Sequence, residues 1–144
     1  MFERILIPTD GSTTANEAAA TGIDLAVEQG ATVHLLYVVQ PIHNDEGGIQ
    51  DALEAMRATG ERTVAEVADR AEAKGATAIT DVTSGTPHEE ILAYSESHDI
   101  DLIVLGTHGR TGLGRYLLGS VTEKVVRLSE VPVLTIRSAP ADSD

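Results

Sequence analysis

The chain has 144 residues, a formal net charge of -13 and no cysteine. A disulfide framework, a thiolate metal site and a cysteine nucleophile are therefore excluded. With 23 acidic side chains against 10 basic ones, the balance argues against a general affinity for the nucleic-acid backbone and against anionic membranes.

The length suits one domain, residues 1–144, able to bury a core without staples. Glu3 and Arg4 precede only a short apolar run, and no stretch is long enough to span a bilayer, so neither a signal peptide nor a membrane segment is expected. The expected location is the cytoplasm. Such an acidic surface is also what a salt-loving cytoplasm selects, although it suits an ordinary host equally.

In chain order, Arg4 to Thr9 reads as a buried strand. Asp10-Gly11-Ser12 breaks it before an alanine-rich helix with a small apolar face of Ala15, Ala18, Ala19, Gly22, Leu25 and Ala26, closed by Gly30. Thr32 to Val39 is a second strand, in which His34 reads as a packed or edge histidine rather than a ligand. Pro41 to Gln50, with Asn44-Asp45-Glu46-Gly47-Gly48, reads as a mobile loop. From Asp51 to Lys74 the spacing of Leu53, Met56, Gly60, Val64, Val67 and Ala71 predicts an amphipathic helix ending at Gly75.

Ala78 to Thr83 is a weaker strand suited to an edge. Thr86-Pro87-His88-Glu89 then satisfies three helix-start rules: a capping threonine, proline at the first position and an acid three residues on. His88-Glu89-Glu90 lacks a second histidine, since position 92 is Leu, which removes a metalloprotease reading. That helix runs to His98.

The stretch from Leu102 to Arg127 has the features of a phosphate holder. Leu102 to Leu105 is short enough for a buried strand, and it breaks at Gly106 into a loop with Gly109, Gly112, Gly114 and Gly119. Ser120 with Glu123 three residues later has the form of a capping box. The predicted helix begins at Ser120 and leaves the amides of Val121, Thr122 and Glu123 at its positive end, where an anion belongs. Arg110, Arg115, Lys124 and Arg127 against Glu123 concentrate positive potential there. Gly114-x-x-x-x-Gly119-Ser120 is spaced like a Walker A loop, but Ser120 stands where the lysine should be. Strand, loop and helix start together favour phosphate or nucleotide over a merely mobile glycine-rich loop.

Val131 to Arg137 is the final strand, and Ser138 to Asp144 a polar, frayed tail. Strands and helices alternate in βα order, which predicts an α/β fold with right-handed crossovers and a parallel sheet covered on both faces.

Gly106-x-x-Gly109, nine residues, then Gly119-Ser120 resembles the nucleotide-binding signature of the universal stress protein (UspA) family in its ATP-binding branch. Ile5-Leu6-Ile7-Pro8-Thr9-Asp10-Gly11-Ser12, the Thr86-Pro87 turn and Val131-Pro132-Val133-Leu134 are similar to it too, so the resemblance covers essentially the whole chain. It implies a doubly wound, Rossmann-like sheet of five parallel strands in the order 3-2-1-4-5. In such sheets ligands sit where the order reverses, here between Thr9-Asp10 and Gly106.

The resemblance further implies that Pro8, Thr9, Asp10 and the main chain near Val39 surround the base and sugar. Gly106 and Gly109 would follow the ribose and phosphate path, while Gly119, Ser120, Val121 and Thr122 would donate to the phosphates of ATP, ADP or AMP. Arg110 and Arg115 either close over the phosphates or are simply solvated. Asp10 either bonds a ribose hydroxyl or holds a Mg²⁺ ion bridging phosphates, or else caps the first helix.

No Gly-x-Ser-x-Gly elbow, Walker lysine, Gly-x-Gly-x-x-Gly first turn or Ser-Gly-Gly-x-Asp-Ser motif of related adenylating enzymes is present. The expected function is nucleotide binding in a stress response, as a switch with little or no turnover. The alternatives are a slow ATPase or nucleotidyl-transferring enzyme, and a dimeric interaction module with an empty site. Val133, Leu134 and Ile136 meet no acid or lysine before Arg137, so strand Val131–Arg137 is expected at a sheet edge that forms a homodimer, unless the tail folds back over it.

Overall fold

Ile5, Leu6 and Ile7 are all fully buried, which a strand achieves only when both its faces are covered. They place β1 (Arg4–Pro8) at the centre of the sheet in the computed structural model, which describes residues 1–41, 49–108 and 119–137. The other elements are α1 (Thr13–Gln29), β2 (Thr32–Val39), α2 (Ile49–Ala73), β3 (Thr77–Ser84), α3 (Pro87–Ser97), β4 (Leu102–Gly106), α4 (Ser120–Leu128) and β5 (Val133–Ile136). The sheet has the order β3-β2-β1-β4-β5 with every pairing parallel, as expected for the doubly wound α/β class.

Alternation along the strands sends side chains to two cores. Ile5, Ile7, Val33, Leu35 and Val104 meet α1 and α2 on one face. Leu6, Leu36, Ile103 and Leu105 meet α3 and α4 on the other, through Ile91, Tyr94 and Val125. The small face of α1 is buried at Ala15, Ala18, Ala19, Gly22 and Ala26, with Ile23 added and Leu25 only half-buried. A Cβ on Gly22 would come 2.7 Å from Ile7 Cδ1, so the glycine is what allows α1 to lie against β1.

β3 lies at the sheet edge and is largely exposed, matching its weak apolar content. Arg57 of α2 reaches across to donate to the Val82 carbonyl at 3.1 Å. At the amino end, the Asp101 carboxylate accepts the amides of Glu3 and Arg4 at 2.8 and 3.1 Å, which fixes the start of β1 beside β4.

His34 is buried with Nδ1 2.8 Å from the Tyr94 hydroxyl, as a packed histidine. Burial, helped by His98 and Arg4, holds the imidazole below its ordinary value, and burial pushes the Tyr94 hydroxyl up to about 12. Both are neutral near pH 7.

Thr86 is the residue before α3 and Pro87 its first, but Thr86 makes no side-chain cap bond. The mobile loop read between Pro41 and Gln50 falls almost wholly on 42–48, outside the described residues. Gly109, Arg110, Gly112, Gly114, Arg115 and the tail Ser138 to Asp144 lie outside them as well. Among the described residues, no helix is long and apolar enough to cross a membrane.

Candidate functional site

The strand order reverses between β1 and β4, whose carboxyl ends diverge, and a cleft of about 410 Å³ opens there. Pro8, Thr9 and Asp10 line it from the end of β1. Tyr37, Val39 and Gln40 line it from β2, Gly106 and His108 from β4, and Gly119, Ser120, Val121 and Thr122 from the start of α4. The sequence-predicted residues within the described segments therefore share one cavity. Gly109 and Arg110 fall outside those segments.

Gly106 sits where the chain leaves β4 against the first turn of α1. A Cβ there would lie 2.5 Å from Thr14 Cγ2 and 3.1 Å from its carbonyl oxygen, so any side chain would push the helix off the strand. The Thr122 hydroxyl donates to the Gly106 carbonyl at 2.7 Å and locks the first turn of α4 to the end of β4.

The start of α4 differs from its capping-box reading. α4 does begin at Ser120, but its cap is Gly119, and no side chain caps it. The Glu123 amide donates to the Gly119 carbonyl at 2.9 Å, and the Glu123 carboxylate accepts from Arg127 at 3.0 Å instead of reaching back to the cap. The helix therefore offers no acceptor to the amides of Ser120, Val121 and Thr122, one residue earlier than expected.

Gly119 does not have the free amide its expected role as a phosphate donor needs: that amide donates to the Thr107 carbonyl at 2.7 Å. Its φ is -63°, so it is not there for a positive φ; a Cβ would stand 3.1 Å from His108 Cα, and close approach is the reason for glycine.

Asp10 is half-buried on the rim of the cleft, and its Oδ1 accepts the Ser12 amide at 2.9 Å. The cap of α1 is Ser12, whose Oγ accepts from the Ala15 amide at 3.2 Å, so the capping role considered for Asp10 belongs to its neighbour. Between them Gly11 takes φ 82°, a turn that glycine alone makes cheaply. Among the described residues, no group of three or more His, Asp or Glu side chains is placed to hold a metal.

Val39, at the end of β2, gives its carbonyl to the Gly85 amide at 3.0 Å. The cleft is also lined by residues that sequence reasoning missed as site residues: Tyr37, Gln40, Met56 of α2, Pro87 and Ile91 of α3, and His108. His108 lies inside the Gly106-x-x-Gly109 spacing and could have been found there. Met56 was visible only as part of an apolar helical stripe.

Residues 1–137 match the profile of the Universal stress protein family. Universal stress protein MJ0531 of Methanocaldococcus jannaschii is 38% identical over 141 residues, covering 95% of this chain and 83% of that protein. Among solved structures, the universal stress protein UspA from Lactobacillus plantarum superposes with a TM-score of 0.87 at 27% identity, over 94% of this chain and 98% of its own. A universal stress protein crystallised in complex with cAMP superposes with a TM-score of 0.75 at 26% identity, over 96% and 99% of the two chains. The β3-β2-β1-β4-β5 sheet, its cleft at the order reversal and a sequence match over 1–137 agree, and the chain belongs to the universal stress protein family.

Proposed function

We propose that the cleft binds an adenine nucleotide and that the protein works as a nucleotide-dependent switch in the stress response, with little or no turnover. One observation carries this reading: α4 points its first turn into the cleft with a glycine cap, leaving the amides of Ser120, Val121 and Thr122 for an anion. Pro8, Thr9, Asp10 and the Val39 main chain would hold the base and sugar, with Gly106 and Gly109 along the path to the phosphates and Arg110 over them. The related structure in complex with cAMP supports the adenine nucleotide. A Mg²⁺ ion would be held by Asp10 together with the phosphates, since no group of three or more His, Asp or Glu among the described residues would hold it alone. Slow turnover follows from Ser120 standing where a Walker loop carries its lysine.

ATP with Mg²⁺ at about a hundred times its dissociation constant adds roughly 2.7 kcal/mol to stability. At roughly 2 to 4 °C per kcal/mol for this size, Tm should rise by about 5 to 10 °C. An unchanged melting curve at millimolar ATP, in the salt the protein needs to stay folded, would refute nucleotide binding. Steady-state phosphate release would favour the enzyme reading instead.

The protein is also proposed to be a cytoplasmic homodimer through β5. The amides of Ile103 and Thr107 donate to the carbonyls of Pro132 and Ile136, so the alternating groups of Val133 and Thr135 face the open edge. Leu134 leaves a large apolar side chain exposed on that edge strand. Light scattering should give twice the 15.2 kDa chain mass, and Ile136→Lys should return it to one. A wild-type mass near a single chain refutes the dimer.

A further inference from the structure

The sequence contains two methionines and no cysteine, and Met1 is almost fully exposed at the terminus. Met56 is thus the single internal sulfur. It is half-buried on α2, where it packs against the core on the α1 and α2 face and also forms part of the cleft wall beside Tyr37 and Val39. A fully buried thioether is shielded from peroxide and a surface one changes nothing when oxidised. Met56 is neither: the open cleft gives a small oxidant access to it, and its polarity matters to whatever lies there.

We propose that Met56 is an oxidation site through which hydroperoxides loosen the hold of the cleft on nucleotide. The proposal rests on the nucleotide reading of the cleft. In the step, a sulfur lone pair attacks the hydroperoxide's distal oxygen, the S–O bond forms as the O–O bond breaks, and the departing alkoxide, or hydroxide in the case of hydrogen peroxide, takes the proton from the transferred oxygen and leaves as alcohol or water. Sulfur is oxidised by two electrons and the peroxide is reduced. The sulfoxide places a strong, uncompensated dipole in an apolar wall, and nucleotide affinity should fall about tenfold. Methionine sulfoxide reductases reverse the change, which is what a signal requires.

The test treats the wild type, Met56→Leu and Met56→Gln with hydrogen peroxide and titrates each with ATP and Mg²⁺ against its own untreated sample, with peptide mass spectrometry locating the added oxygen. Oxygen on Met56, a Kd about tenfold weaker and recovery after reductase are expected of the wild type. The Kd of Met56→Leu should not respond to peroxide, and Met56→Gln should bind more weakly than untreated wild type from the start. Full oxidation of Met56 with an unchanged Kd overturns the proposal, as does oxidation confined to Met1 or an equal loss in Met56→Leu. A wild type that binds no ATP before peroxide sinks the cleft reading and this proposal together, whereas an unchanged Kd after oxidation sinks the proposal alone.

Discussion

Two helices start at the same end of the sheet, α1 after β1 and α4 after β4, and their first turns are treated in opposite ways. In the first turn of α1 the Ala15 amide goes to Ser12 Oγ, and just before the helix the amides of Gly11 and Ser12 go to Thr9 Oγ1 and Asp10 Oδ1. Thr14 is buried under Gly106, while Thr13 is exposed and Ala15 lines the cleft with its amide already held by Ser12. At α4 the cap is a glycine without a side chain, Ser120 is exposed, and the amides of Ser120, Val121 and Thr122 border the cleft. Both ends carry the same positive dipole. What makes one a candidate anion site is the absence of partners among the described residues, so a helix start with a poor cap is worth more to function than one with a good cap.

The strongest way to break this comparison is to fill the open end. Gly119→Val should abolish the ATP-induced rise in Tm while leaving the fold intact. Its backbone, φ -63° and ψ 155°, is one valine accepts, but the added atoms must share space with His108 and the cleft. Calorimetric titration checks it. A variant that binds ATP as wild type does would show that the phosphates do not pass Gly119.

Much of the fold was legible because burial is written in composition. Ile5 to Ile7 and Leu102 to Leu105 are apolar at every position and became doubly covered strands, whereas Thr77 to Ser84, half polar, became the exposed edge. The strand order came from the family resemblance, since no local pattern specifies which strands are neighbours. The near side of the cleft was legible as glycine spacing. Its far side was not: Met56, Pro87 and Ile91 reach the cleft only because α2 and α3 pack on opposite faces of β2, a tertiary event. The Ser120 and Glu123 spacing misled for a local reason. Glu123 has Arg127 one turn ahead, and the Gly119 amide is held by Thr107, so the cap moved back one residue.

A second, smaller effect sharpens the contrast from the closed end. Ser12→Ala removes the cap of α1 and should cost about 1 kcal/mol. That lowers Tm by roughly 2 to 4 °C in the absence of ligand. The ATP-induced rise measured from the lowered baseline should be the same as in wild type, because the Ser12 hydroxyl is spent on Ala15. If the rise shrinks along with the baseline, the start of α1 takes part in binding and the two helix ends are not opposites.

Ser120→Ala is the matching change at the open end and has the smallest expected effect on ligand-free stability. The Ser120 hydroxyl caps nothing, since α4 has no side-chain cap and Glu123 takes its bond from the Gly119 carbonyl. An exposed serine at the first position of a helix contributes little, so Tm without ligand should stay within about 1 to 2 °C of wild type, the consequence of roughly 0.5 kcal/mol. Binding should suffer instead. Losing one hydroxyl contact to a charged phosphate costs about 1.5 to 3 kcal/mol, which weakens Kd by roughly tenfold to a hundredfold, while the backbone amide of the same residue still donates. Ser12→Ala and Ser120→Ala thus form a crossed pair, one moving stability without affinity and the other affinity without stability. Paired melting and titration of the two variants decide it. If Ser120→Ala lowers the ligand-free Tm as far as Ser12→Ala does, its hydroxyl is a cap after all and the open end of α4 is closed.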